Sequence, residues 1–162
     1  MIQYKVGNLF ELYPKEVMDD LFIPHICNNV GGWGSGFVVP LAKQWPETRQ
    51  AYISLPNYKL GETQFVRVTG KPSDYPAPGG NIWVCNMIAQ NHTISPENPK
   101  PIKYAALAQC MQRVAEACRQ KTSPEIHAPM FGSGLAGGNW DFIEELIQEI
   151  WNGIPTTIYK LE

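Results

Sequence analysis

The residues of this chain that could do chemistry are three histidines, four cysteines and the polar residues around two glycine-rich loops. The loops are the stronger signal. In His25-Ile-Cys-Asn-Asn-Val-Gly-Gly-Trp-Gly-Ser-Gly36 an apolar, strand-like run (Phe22 to Cys27) gives way to four glycines within six residues. Val38, Leu41, Ala42 and Trp45 then resume at helical spacing. Bare glycines let the main chain approach a ligand, and free amides at a helix start attract an anion such as phosphate. The arrangement recurs near the other end: Ile126 to Phe131 reads as a strand, Gly132-Ser-Gly-Leu-Ala-Gly-Gly138 as the loop, and Trp140 to Trp151 as the helix. Either loop alone is as readily a plain turn; two together point to a diphosphate held from both sides.

The familiar nucleotide and nucleophile motifs do not account for these loops. Gly132-Ser-Gly-Leu-Ala-Gly137 satisfies the GxGxxG dinucleotide spacing, but only one short strand follows it, too little for the rest of that fold. In the first loop Val39 stands where a third glycine is required, and nothing matches Walker A. Ser133 is not in a Gly-x-Ser-x-Gly elbow, so it reads as a phosphate contact and not as a nucleophile. His25 and His127 fall in strand-like runs beside the loops, where a core histidine is at least as expected as an acid or base. Asn28 and Asn29 stand where strand becomes loop, the ligand edge of an α/β sheet, and Gln90 holds the equivalent place after the central strand. Trp33, amid the glycines, reads equally as a lid over a ligand or as packing on a neighbouring loop.

Composition narrows the classes. The 44% hydrophobic and 17% charged fractions describe a globular chain, and 162 residues suffice for one α/β domain, residues 1–162, but not two. Thirteen basic residues against 15 acidic ones, with no basic run, argue against nucleic acid as a partner. Cys27, Cys85, Cys110 and Cys118 contain no CxxC pair and no zinc spacing. No secretory leader and no membrane-length apolar run is visible, so a cytoplasmic setting is expected and a membrane is not.

The remaining segments must position the loops. Ile2 to Val6 alternates as a strand and turns out at Gly7-Asn8-Leu9-Phe10, where Asn8 reads either as a turn residue or as a contact to a ligand base. A short helix is expected over Pro14 to Asp20, a helix over Glu47 to Leu55 and a strand over Thr63 to Thr69. Gly70 to Gly80 reads as a loop, and Ile82 to Ile88 as a central strand interrupted only by Asn86. Ile102 to Gln120 carries the clearest helical stripe, through Ala105, Leu107, Ala108, Met111, Val114, Ala115 and Cys118, and Thr156 to Leu161 makes a last strand. Pro24 is awkward within a strand and is expected at its first residues or at a bulge. The alternation predicts a mixed, mostly parallel sheet with helices on both faces.

The joint order of these segments resembles the macro domain, the ADP-ribose-binding α/β/α module. Gly7-Asn8-Leu9-Phe10 looks like its first-strand motif, with Asn8 in place of the Asp that usually contacts adenine. His25-x-Cys-Asn-x-x-Gly-x-Trp-Gly-x-Gly36 is similar to the first phosphate loop of the ADP-ribose 1″-phosphate phosphatase branch. Val84 to Gln90, Lys103 to Leu107 and Pro129 to Trp140 look like the other signature segments. The resemblance implies a three-layer α/β/α fold and a ligand, ADP-ribose or its 1″-phosphate, with its diphosphate between Gly34, Ser35, Gly36 and Phe37 and the loop of Gly132, Ser133, Gly134, Leu135 and Ala136. Asn8 and Leu9 would face adenine, Trp33 and Gln90 would complete the wall, and Asn28 would approach the distal ribose. ADP-ribosylated protein is a further implied partner; no cofactor and no metal is implied. The Lys and Asp used by the related protein-ADP-ribosyl hydrolases correspond to about Gln90 and Ala136, so that mechanism is not expected here. For attack by a positioned water the resemblance selects Asn28 and, as acid or water-orienting group, His25. A binding module without catalysis, or an ADP-ribosyl hydrolase of another mechanism, stand as the alternatives.

Overall fold

A computed structural model describes residues 2–13, 19–68 and 81–161. The elements in chain order are β1 (Ile2–Val6), α1 (Leu9–Leu12), β2 (Leu21–Asn28), α2 (Val38–Gln44), α3 (Pro46–Ile53) and β3 (Thr63–Arg67). They continue with β4 (Ile82–Gln90), α4 (Tyr104–Arg119), β5 (Glu125–Pro129), α5 (Trp140–Ile150) and β6 (Thr156–Lys160). One six-stranded sheet has the order β1-β6-β5-β2-β4-β3, parallel throughout except for the edge strand β3. The helices cover both faces, a three-layer α/β/α arrangement. The short helix expected over Pro14 to Asp20 and the loop over Gly70 to Gly80 fall largely or wholly outside the described residues.

Each face has its own core. On one, α4 and α5 pack on Phe22, Cys85, Met87, Ile126 and Ile158 from the strands. The stripe of α4 that does this runs through Ala106, Leu107, Cys110, Met111, Val114, Ala115 and Cys118. It is displaced from the sequence reading, for Ala105 is exposed and Cys110 takes the buried position. Trp151 closes the end of α5, its indole N–H donating to the Met111 carbonyl at 2.9 Å. On the other face Leu41 and Trp45 pack on Leu21, Ile23, Ile82 and Val84. Full burial of each such side chain contributes roughly 1.5–3 kcal/mol. All four cysteines are buried free thiols. Among the described residues no helix is long and apolar enough to cross a membrane.

Pro24 is the point at which the structure departs from expectation. It lies in the interior of β2, buried, and the bulge in that strand comes later, between Cys27 and Asn28. The ladder of β2 with β4 runs from Leu21 to Asn28, whereas its ladder with β5 holds only Leu21–Glu125 and Phe22–Ile126. Leu21 donates its N–H towards β4, to the Asn81 carbonyl, so by the alternation of the strand Pro24 faces β5. The ladder to β5 stops where the missing N–H would have continued it, while the ladder to β4 runs on and keeps the strand in the sheet. The seam between β2 and β5 is also the topological switch of the sheet, since the chain leaves β2 towards one face and β5 towards the other.

At the opposite end of the strands Asp20 fastens the sheet. Its buried carboxylate accepts from the Asn81 main-chain N–H at 3.2 Å and side-chain amide at 3.1 Å, and pairs with Lys121 at 3.0 Å. Burial pushes its pKa up, but the Lys121 and Asn81 contacts outweigh this and hold it below the usual carboxylate value. A depressed folded-state pKa stabilises above the unfolded pKa and is lost as pH falls through the folded one. With Lys121 about one-third exposed and partly screened, Asp20→Asn should cost about 1–2 kcal/mol at pH 7. In urea titrations the gap to the wild type should persist at pH 7 and close towards about pH 3; a gap that does not change with pH would show that the charge of Asp20 does not matter.

Candidate functional site

At the switch point between β2 and β5, a cleft of about 990 Å³ opens at the carboxyl ends of the strands. Of the residues that the sequence brings forward, it is lined by Asn8, Leu9, His25, Asn28, Trp33, Gly34, Ser35, Gly36, Phe37, Gln90, Gly132, Ser133, Gly134, Leu135 and Ala136. Asn29 does not. It ties the first loop to the one after β4, donating to Asn91 Oδ1 at 2.9 Å and accepting from the His92 N–H at 2.8 Å. His92 is exposed, with a left-handed φ of 60°, and lies outside the cleft.

Asn28 organises the first loop. Its Oδ1 accepts from the N–H groups of Val30 (3.0 Å) and Gly32 (2.9 Å) and from the Tyr52 hydroxyl (2.9 Å), while Nδ2 donates to the Gly32 carbonyl at 3.0 Å. One Nδ2 hydrogen is left for a ligand. The bulge before Asn28 turns its side chain into the loop. Tyr52, fully buried on α3, shares its one hydroxyl hydrogen between Asn28 Oδ1 and the Asn28 carbonyl, which is nearer at 2.6 Å. Trp33 packs on Tyr52, ring centroids 5.3 Å apart, and meets the edge of His25 at 5.7 Å. It forms part of the cleft wall.

The second loop is held by its own main chain. Gly137 N–H donates to the Gly134 carbonyl at 2.9 Å, Gly138 N–H to the Gly132 carbonyl at 2.7 Å, and Ile102 N–H to the Ala136 carbonyl at 3.0 Å. A Cβ at Gly138 would meet the Gly132 carbonyl oxygen at 2.5 Å, so the fold itself demands glycine there. The expected helix start does not supply the anion site: α5 begins at Trp140, and Asn139 caps it by accepting from the Phe142 N–H at 3.1 Å. The amides at hand are those of the loop. Those of Ser133, Gly134, Leu135 and Ala136, like those of Gly34, Ser35, Gly36 and Phe37, have no protein acceptor. The Ser133 hydroxyl donates to the Met130 carbonyl at 2.9 Å.

Two glycines have no structural reason to be glycine. At Gly34 and at Gly134 a Cβ would meet nothing within 4 Å, and neither has a positive φ. Each stands in one loop, and both face the same cleft. Space kept free of side chains beside unpaired N–H groups suits an anion approached from two sides.

Among the described residues, no Asp, Glu, Lys or Arg lines the cleft. His25 is buried; desolvation lowers its pKa to about 4, against a smaller opposing effect of its Asn86 bond, so the imidazole is neutral. Its Nε2 lies 2.5 Å from Asn86 Oδ1, and its Nδ1 is buried without a protein partner. As a general acid His25 is therefore ill suited, and the water-orienting half of the sequence expectation is the one its environment permits. Burial raises the Cys27 thiol well above its ordinary pKa, and the Tyr159 phenol is pushed up to about 12 by burial and Glu125. His127 is a core residue. Burial lowers its pKa despite Glu125, and it bridges the Tyr159 hydroxyl at 2.8 Å and Glu125 at 3.0 Å. Asp141 lies in the first turn of α5, outside the cleft. Asn8 caps α1, accepting from the Phe10 N–H at 2.9 Å, which leaves its Nδ2 hydrogens free. The Leu9 side chain is buried in the core, so only its main chain can meet a ligand.

The sequence reading missed Phe10, Thr93, Ile94, Met130, Phe131 and Tyr159 as wall residues. Their one advance signal was adjacency to the loops. It also passed over Asn86, although a lone amide in an apolar central strand must find a partner.

A three-layer α/β/α fold with two facing glycine loops across the switch point of the sheet defines the class. The chain belongs to the macrodomain family. It is 32% identical to a macrodomain protein from Streptomyces coelicolor, a match covering 98% of each chain at a TM-score of 0.72. It is 35% identical to a protein of unknown function from Bacteroides thetaiotaomicron, covering 99% of this chain and 98% of that one at a TM-score of 0.78. By sequence it is 22% identical over 182 residues to the ADP-ribose 1″-phosphate phosphatase of Saccharomyces cerevisiae (strain YJM789), across 99% of this chain and 98% of that protein. No family model matches the sequence.

Because Asn28 anchors the loop, Asn28→Ala should act on structure first. Loss of its bonds to Val30, Gly32 and Tyr52 should cost about 1–3 kcal/mol in urea unfolding and expose the segment around Gly31 to faster proteolytic nicking. Unchanged stability and nicking would mean that the loop holds itself.

Proposed function

We propose that this macrodomain binds ADP-ribose in the cleft and hydrolyses ADP-ribose 1″-phosphate to ADP-ribose and phosphate. The observation that carries the reading is the pair Gly34 and Gly134, glycines without internal need for glycine, facing one cleft beside unpaired amides. The diphosphate lies between Gly34 to Phe37 and Ser133 to Ala136, held by main-chain N–H groups. Adenine lies towards Asn8, whose free Nδ2 hydrogens donate, and the main chain of Leu9. The distal ribose lies towards Asn28 and Gln90, with Trp33 as wall. Asn28 contributes its remaining N–H, and the bare Nδ1 of His25 accepts a hydrogen bond from the water that attacks the phosphomonoester. The protein contributes orientation and neutral dipoles, not a charged acid–base pair. The similarity to the yeast phosphatase supports the choice of reaction.

A second reading rests on one observation of its own. The lack of any carboxylate or cation among the described residues that line the cleft favours a module that binds ADP-ribose, free or on protein, without turning it over. Phosphate release from ADP-ribose 1″-phosphate separates the two: release that saturates with substrate supports the phosphatase, and binding without release leaves the reader.

Binding itself is tested at the two glycines. Gly34→Ala and Gly134→Ala should leave stability within about 0.5 kcal/mol, since the added methyl meets nothing, while calorimetric affinity for ADP-ribose should fall by about tenfold or more, that is ~1.4 kcal/mol or more. Undiminished affinity in both would remove the diphosphate from between the loops. Wild-type affinity should be flat between about pH 5.5 and 8, because His25 is already neutral above its pKa of about 4 and the Cys27 and Tyr159 groups titrate higher.

A further inference from the structure

A polar chain runs through the sheet from α3 to His25. It begins at the Ala51 carbonyl, which can only accept. Gln64 Nε2 donates to it at 2.9 Å, which leaves Gln64 Oε1 as an acceptor facing Asn86. Asn86 Nδ2 donates to Gln64 Oε1 at 3.0 Å and lies 3.4 Å from a second carbonyl, that of Thr48. With its amide hydrogens committed, Asn86 can present only Oδ1 to His25 Nε2, 2.5 Å away. Turning over either amide would set two acceptors against each other at the Ala51 or Thr48 carbonyl. The direction of the whole chain is therefore imposed by main-chain oxygens.

We propose that Gln64 and Asn86 are positioning residues, a one-way relay that fixes His25 as its Nε2–H tautomer and so leaves Nδ1 a pure acceptor at the cleft. Nδ1 is buried and has no protein donor, and its neighbour Trp33 has a buried indole N–H with no protein acceptor. The two rings stand nearly perpendicular with centroids 5.7 Å apart. A water or ligand hydroxyl that reaches Nδ1 must donate to it, and one that reaches the Trp33 indole must accept. The role deepens the function proposed above, since it explains how a neutral histidine orients a hydroxyl or water there. The groups packed on the His25 ring are Asn86, Cys27, Trp33 and Phe37; of these only Cys27 ionises, and burial keeps it a thiol.

The test uses the full chain. Nitrogen-15 spectra of the His25 ring in the wild type should show a protonated Nε2 and a bare Nδ1 between pH 5.5 and 8; a protonated Nδ1 would overturn the relay. Asn86→Asp places a carboxylate against Nε2 and favours the imidazolium, so His25 should now titrate within that range. Below the new pKa Nδ1 becomes a donor, and affinity for ADP-ribose should fall about fivefold to tenfold on the acid side and recover on the alkaline side, the weight of about one hydrogen bond. A pH profile parallel to that of the wild type would overturn the proposal. Asn86 is fully buried and its replacement puts folding at risk, so Gln64→Leu, at a half-buried site, is the second variant. It removes the nearer of the two acceptors that hold the Asn86 amide and leaves only the longer contact to the Thr48 carbonyl, so the spectra should show some of the other His25 tautomer with affinity reduced; a single unchanged tautomer would overturn the part assigned to Gln64. If the wild type binds no ADP-ribose, the proposed function fails, while the spectra still decide the tautomer.

Discussion

β2 and β5 share only two hydrogen-bonded residue pairs, and the rest of the molecule's working surface is arranged around the seam between them, the switch point of the sheet. Here Pro24, without an N–H, follows just after the last pair, while β4 continues beside β2 along its length and keeps the strand in the sheet. The opening lies where the chain leaves the two strands for opposite faces. Both glycine loops are thus directed into one space by the sheet, however unlike the loops themselves are.

They are unlike in what holds them. The first depends on a side chain: Asn28 gathers the amides of Val30 and Gly32, and Tyr52 secures Asn28 from the helical layer below. The second holds itself, through main-chain bonds between Gly132 and Gly138 and between Gly134 and Gly137, with Ile102 fastening it to the neighbouring segment. Glycine serves different ends along these few residues. Gly138 is required by a carbonyl oxygen 2.5 Å from where its Cβ would be, whereas Gly134 has open space around it. Only the second kind speaks about a ligand.

Much of this was legible in the sequence because the signals were local. Apolar alternation located β1, and the two strand–glycine–helix passages located the loops. The expected strand at Ile82 runs on to Gln90, and β5 starts one residue earlier and ends two earlier than expected, the uncertainty normal for strand ends. What could not be read were facts set by tertiary contacts. Nothing in the spacing says that Pro24 sits beside an unpaired edge, that Leu9 turns inward, or that the α4 stripe passes through Cys110 and not Ala105. The relay behind His25 was the least visible part, since Ala51, Gln64 and Asn86 come from three separate elements and meet only in the folded sheet.

A recess whose polar groups are mostly main-chain amides has few side chains to lose. Evolution can alter such a site chiefly by adding atoms to it or by bending the loops that form it, and not by deleting the groups that make contact. Side chains that only form wall can vary more freely than Asn28, which holds a loop, while a methyl group on either free glycine would project into the open space of the cleft. The vulnerability of this surface is concentrated in the two positions that have the least chemistry of their own.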